Sequence, residues 1–233
     1  MGSPTIVFCH GAWHNPEFFH KVIAILEPLG YRCVTVALPS SSGRVPPPTS
    51  LDEDIAAIRG VVLQELDAGH DVVINAHSWG GVPTTTALEG LTKPERLASG
   101  KSTGVTKLTF VAAFVIPEHN KNMTHAGDLQ QIFYHDVEPK EAAEWLGKLK
   151  SQSLASFCTK TTDAAWKKIP SAYLVTEDDR AVPAAFQEIM IGQMKEAGAE
   201  IVVTRIEGSH SPYLAKPGAV VDFLKKEIGE SPN

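Results

Sequence analysis

Three side chains set far apart in this chain have the types that nucleophilic acyl transfer needs: Ser78, a carboxylate at Asp178 or Asp179, and His210. A serine hydroxyl is a poor nucleophile near neutral pH, so a base must take its proton and an acid must hold that base in one tautomer and orientation. Ser78 lies in Ala76-His77-Ser78-Trp79-Gly80-Gly81, directly after the apolar run Val72-Val73-Ile74. That pattern reads as a strand turning sharply into a helix with the serine at the corner. A turn so tight strains the serine backbone, and the residues two before and two after it must be small to avoid meeting across the corner. Ala76 and Gly80 meet the demand. A serine that only capped the helix would need no small neighbours.

The acid and the base follow in chain order. Tyr173-Leu174-Val175 is a β-prone run leading into Glu177-Asp178-Asp179-Arg180-Ala181-Val182-Pro183, and Ile201-Val202-Val203 leads through Arg205-Ile206 to Gly208-Ser209-His210. Each candidate thus falls just past the carboxyl end of an expected strand, where open α/β sheets place their sites. The competing view of the carboxylates is a solvated turn paired with Arg180, which leaves His210 without an orienting partner.

With His10-Gly11-Ala12-Trp13-His14 after the first strand, these motifs resemble the α/β-hydrolase superfamily over nearly the whole chain. The most similar branch is that of small cofactor-free enzymes such as plant-type methylesterases and hydroxynitrile lyases. The resemblance implies a Ser78, Asp179, His210 triad, because the family acid stands four residues before a proline, here Pro183, and Asp178 falls one residue early. It implies oxyanion donors at the backbone amides of Ala12 and Trp79, each donor worth roughly 2.7–4 kcal/mol of barrier. Gly11 would let the backbone approach substrate, and His10 and His14 would brace the loop. Candidate pocket residues are Gly11, Trp13, His14, Phe133, Trp145 and Tyr213. The implied reaction is hydrolysis of a small organic ester or lactone through an acyl-enzyme, with no metal and no cofactor. Lyases of the branch carry a lysine after the catalytic histidine and a threonine after the first-motif histidine; Ser211 and Gly11 stand there. C–C bond hydrolysis and a receptor role on the same pocket stay open.

Short apolar runs alternate with amphipathic stretches, the βαβ signature of a mostly parallel sheet covered on both faces. Six strands are expected near 5–9, 33–37, 71–75, 107–112, 171–176 and 200–206, and helices near 16–28, 51–68, 80–91, 184–197 and 217–228. Ser50 with Glu53 reads as a capping box, Gly30 and Gly69 as helix stops, and 93–107 as a surface excursion. Little room remains for the two strands that precede the first motif in larger family members. From about 117 to 170 the alternation fails. That stretch, with His119, Met123, His125, Phe133, Tyr134, Trp145, Phe157 and Trp166, reads as a short helical cap over the serine, or as a helix at 139–148 packing Ala142, Ala143 and Trp145 on the core.

With 43% apolar residues, 233 residues are enough for one α/β-hydrolase domain spanning 1–233. A formal charge of −6 without Lys/Arg clusters argues against a nucleic-acid surface and against a basic membrane-docking helix. Cys9, Cys33 and Cys158 form neither a disulfide framework nor a zinc motif. No leader or membrane-length run is visible and Ile6 spoils a myristoylation pattern, so a cytoplasmic setting is expected.

Overall fold

The computed structural model describes residues 3–115 and 128–229. His119, Met123 and His125 of the expected cap lie outside the described residues. Six strands form one sheet: β1 (Thr5–Cys9), β2 (Cys33–Val36), β3 (Val72–His77), β4 (Val105–Val111), β5 (Ser171–Thr176) and β6 (Ile201–Ile206). Every pairing is parallel and the order is β2-β1-β3-β4-β5-β6. The α/β-hydrolase fold expected from the sequence, a parallel sheet with helices on both faces, is present.

Ten α-helices are described: α1 (His20–Leu26), α2 (Asp52–Asp67), α3 (Gly81–Ala87), α4 (Lys93–Ala98), α5 (Leu129–Phe133), α6 (Pro139–Lys148), α7 (Leu154–Cys158), α8 (Ala184–Glu196), α9 (Pro212–Ala215) and α10 (Pro217–Ile228). The period of two along each strand divides the core. In β1, Ile6 and Phe8 pack with Val22 and Leu26 of α1 and Val220 and Leu224 of α10. Val7 and Cys9 face the other way, into the cluster that holds Ile58, Val62 and Leu66 of α2. Every residue of β1, β3 and β5 is buried, so apolar side chains stand on both faces of these strands rather than alternating with exposed polar ones.

Several local expectations shift. The helix expected at 80–91 is a 3₁₀ turn at Ser78–Gly80 followed by α3, which ends at Ala87. Ser50 and Glu53 make no capping box. The Ser50 hydroxyl accepts from the Asp52 amide at 3.2 Å and donates to the Asp52 carboxylate, while Glu53 pairs with Arg44. The excursion at 93–107 instead contains α4, begun by a Thr92/Glu95 capping box with proline in its first turn. Its Arg96 is buried, donating to the Thr103 carbonyl at 2.9 Å and to Asp67 at 3.0 Å. In α6, Ala142 and Trp145 are buried and Ala143 is exposed.

This strand order reverses between β1 and β3, since β1 is followed outward by β2 and β3 is followed the other way by β4. A crevice opens at such a switch point, beyond the carboxyl ends of the strands. The three non-glycine residues with positive φ among those described cluster at that edge: Trp13 (63°) after β1, Ser78 (51°) after β3 and Ala112 (47°) after β4.

Candidate active site

Ser78 stands where β3 ends and the 3₁₀ turn begins, in the left-handed backbone region that a side chain adopts only when its surroundings hold it there. The small neighbours explain how the corner closes. A Cβ on Gly80 would lie 2.5 Å from the His10 carbonyl oxygen, and one on Gly11 would lie 2.7 Å from Cβ and 3.2 Å from Oγ of Ser78. Gly11 therefore brings the loop after β1 against the serine, and the Phe114 amide ties the strand beyond β4 to the Ser78 carbonyl at 2.9 Å.

His210, in the loop after β6, places Nε2 2.9 Å from Ser78 Oγ and Nδ1 2.9 Å from Asp179 Oδ2. A carboxylate can only accept, so Nδ1 carries the proton and the bare Nε2 accepts from the serine hydroxyl. All three residues are buried. Asp179 is held as an acceptor on every side. Its Oδ1 takes the amides of Ala181 and Val182 at 2.8 Å each, and its Oδ2 also takes the Thr176 hydroxyl at 2.9 Å and the Gln187 amide at 3.3 Å. Such donors stabilise the anion without water. Asp178 points away: its side chain is 66% exposed and meets His135 at 2.8 Å and Arg180 at 4.0 Å.

His77 also belongs to this assembly, although it carried no assigned role in the sequence. Its Nε2–H donates to the His210 carbonyl at 2.8 Å, fixing the backbone of His210. Its ring stacks on Phe18 and burial holds it well below the usual imidazole range, so it stays neutral. The other two histidines beside the site are likewise neutral, and unlike His77 each is engaged at both nitrogens. His10 Nδ1–H donates to the Gly11 carbonyl at 2.9 Å while Nε2 accepts from the Leu38 amide at 3.2 Å, and burial lowers its pKa to about 4. His14 Nδ1–H donates to the Ala12 carbonyl at 2.8 Å while Nε2 accepts from the Tyr134 hydroxyl at 2.8 Å, and burial lowers its pKa to about 3. Both rings brace the first-motif loop.

A cavity of about 20 Å³ opens beside Ser78 and His210, lined by Ala12, Trp13, Trp79, Phe114, Phe133, Phe157, Ala181 and Val182. That is room for about one water molecule. Of the expected pocket residues, Trp13 and Phe133 line it and Gly11 abuts the serine. His14, Trp145 and Tyr213 do not line it among the described residues. Trp145 packs on Phe18 and His20, and Tyr213 lies beneath His77 with its hydroxyl donating to Asn75. Phe114, Ala181 and Val182 were not anticipated, yet each follows a strand's carboxyl end, the same cue that marked the triad. Cys9 is sealed in the core, its thiol pushed up to about 12 by burial. Among the described residues no group of three or more His, Cys, Asp or Glu is arranged to hold a metal ion, and no helix is long and apolar enough to cross a membrane.

Comparison with known proteins agrees with this fold. A relative described as the alpha/beta hydrolase nvfD of Aspergillus novofumigatus is 30% identical over 253 aligned positions, covering 99% of each chain. Methylesterase 1 of Arabidopsis thaliana is 22% identical, covering 94% of this chain and 92% of its own. The solved structure of polyneuridine aldehyde esterase superposes with a TM-score of 0.75 at 17% identity, covering 96% of this chain and 98% of that one. The family model described as "Alpha/beta hydrolase family" matches residues 6–223, and the chain belongs to that family.

Proposed function

We propose that this protein is a serine hydrolase that cleaves a carboxylic ester or lactone of a small, uncharged organic molecule. The observation that carries the reading is the unbroken chain of hydrogen bonds Ser78 Oγ to His210 Nε2 and His210 Nδ1 to Asp179. In this reading His210 removes the Ser78 proton as Oγ attacks the carbonyl carbon, and Asp179 stabilises the imidazolium without itself taking the proton. Negative charge then develops on the carbonyl oxygen. The amides of Ala12 and Trp79 would receive it, since both residues border the serine cavity and Trp79 lies in the first turn of a helical segment. His210 gives its proton to the departing alcohol, then takes one from water as that water attacks the acyl-enzyme and frees the acid.

The cavity walls support the substrate class. Five aromatic rings and three small aliphatic side chains surround the serine, and no carboxylate or ammonium faces it from the lining residues. A charged acyl group would lose its water there without a partner. The esterase names of several relatives agree with an ester substrate. Cys9, Cys33 and Cys158 are free thiols, which suits a reducing compartment. The test is turnover of a graded panel of p-nitrophenyl esters, aryl esters and lactones by the wild type and by Ser78→Ala. Turnover should fall by about 10⁶-fold in the variant; near-normal rates would refute the assignment.

A further inference from the structure

The loop Ala12-Trp13-His14 is strained at Trp13, yet it makes few bonds to the sheet that carries it. Apart from the Ser41 hydroxyl, which donates to the His14 carbonyl at 2.9 Å, its partners outside the loop come from the stretch between β4 and β5. His14 Nδ1–H holds the Ala12 carbonyl, and that tautomer requires a donor at Nε2, which the Tyr134 hydroxyl supplies at 2.8 Å. On the other side of the same peptide, the Trp13 amide donates to Oε1 of Gln152 at 3.3 Å. The next carbonyl, that of Trp13, accepts the Lys150 amide at 2.7 Å. Gln152 is itself fixed, its Nε2 donating to the hydroxyls of Ser40 and Ser156 at 2.9 Å each, with Ser40 anchored on the buried carboxylate of Asp54 at 2.5 Å. Tyr134 is 1% exposed, so water does not replace its hydroxyl.

We propose that Tyr134 and Gln152 are positioning residues that clamp the Ala12–Trp13 peptide from its two sides and thereby aim the Ala12 amide at the developing oxyanion. The inference rests on the hydrolase reading above and goes beyond it by assigning the oxyanion geometry to side chains outside the first motif. The physical chain is short. Without the Tyr134 hydroxyl, His14 is free to move its proton to Nε2, which turns the Nδ1 lone pair toward the Ala12 carbonyl and repels it. The peptide then rotates, and the adjoining amide rotates with it. Gln152 opposes the same rotation from the amide side, and the positive φ of Trp13 supplies the tendency to relax. Neither side chain needs to touch substrate for this effect.

The experiment compares Tyr134→Phe, Gln152→Ala and Gln152→Glu with the wild type after thermal unfolding has shown each to be folded. Deleting one oxyanion donor outright costs 10²–10³-fold, so misaiming one should lower kcat by about 10- to 100-fold in Tyr134→Phe and Gln152→Ala. KM should stay within about 3-fold, since the loss falls on the transition state alone. The inhibition constant of a trifluoromethyl ketone, which forms a tetrahedral adduct on serine, should weaken by the same factor as kcat, with the pH profile unmoved. Gln152→Glu keeps an acceptor for the Trp13 amide but loses the donors to Ser40 and Ser156, so it should recover kcat in part, to a value between those of Gln152→Ala and the wild type. Independently of any variant, ¹⁵N NMR of the wild type should show His14 protonated at Nδ1. Wild-type kcat in folded Tyr134→Phe and Gln152→Ala, a loss in KM alone, or an Nε2–H tautomer at His14 would overturn the clamp. Failure of a fluorophosphonate to label Ser78 in the wild type would overturn the hydrolase reading and the clamp together, whereas normal labelling with undiminished variants would overturn the clamp alone.

Discussion

Acid should unfold this protein through its buried histidines before the carboxylates matter. His10 and His14 have folded pKa values of about 4 and 3 against 6.5 in the exposed state, and His77 is also lowered well below 6.5. Because burial depresses the folded values, the unfolded chain takes up these protons first. The stability they contribute is fully present above pH 6.5 and is lost as pH falls from there toward the folded values. At pH 5 each of His10 and His14 has forfeited about 2 kcal/mol, about 4 kcal/mol together, with His77 adding a loss of the same sign, against a typical domain stability of about 5–15 kcal/mol. Between pH 6 and 5 the slope should approach about 4 kcal/mol per pH unit, the value for three protons. Glu65 and Glu95, which are held below the ordinary carboxylate value of 4.5, begin to count only below that pH. Urea unfolding at half-unit steps from pH 7.5 to 5, with proton uptake measured by calorimetry in two buffers, gives both quantities. His14→Gln should remove one of the three protons. A flat stability curve over this range, or unfolding at pH 5 with uptake below one proton, would refute the assignment of these rings as buried and neutral.

Asp179→Asn should lower kcat by about 10⁴-fold while leaving the fold intact, because Asn favours the wrong imidazole tautomer. Asp178→Asn should stay within about 3-fold in the same assay, as expected for a partner in an exposed pair. Gly11→Ala would put a methyl 2.7 Å from Ser78 Cβ. The resulting displacement, on the order of 1 Å, should reduce kcat/KM by about 100-fold, measured beside a thermal melt showing the protein still folded. Thr92→Ala should remove the cap of α4, lowering stability by about 1 kcal/mol and Tm by about 2–4 °C, with activity unchanged.

The sheet and the places where chemistry could occur were legible because both follow local rules. An apolar run followed by Ala76, Ser78 and Gly80 fixes a corner, and the acid and base stand where later strands end. The choice of Asp179 over Asp178 followed the resembled family's spacing to proline, and the structure gives it a physical cause: two amides, a hydroxyl and an imidazole converge on Asp179 while Asp178 faces solvent. What escaped reading depends on contacts between distant segments. Tyr213 and Trp145 have the chemistry of pocket residues, but their helices turn them into the core beneath the site. The partner of His77 lies 133 positions away, and the partner of His14 lies 120 positions away. No periodicity records such pairs. The Thr92/Glu95 capping box was a local signal that could have been read, and it marks α4 where a loop was expected.

In the proposed mechanism Ser78 Oγ carries the acyl group. Mixing the wild-type protein with a slowly deacylating p-nitrophenyl ester, quenching in acid and mapping the adduct by peptide mass spectrometry tests that directly. The expected result is one acyl group per chain on Ser78, formed with a burst of p-nitrophenol and absent from His210→Ala on the same timescale. Hydrolysis that proceeds without a burst and with the acyl group on another residue, or an equal burst without His210, would contradict it.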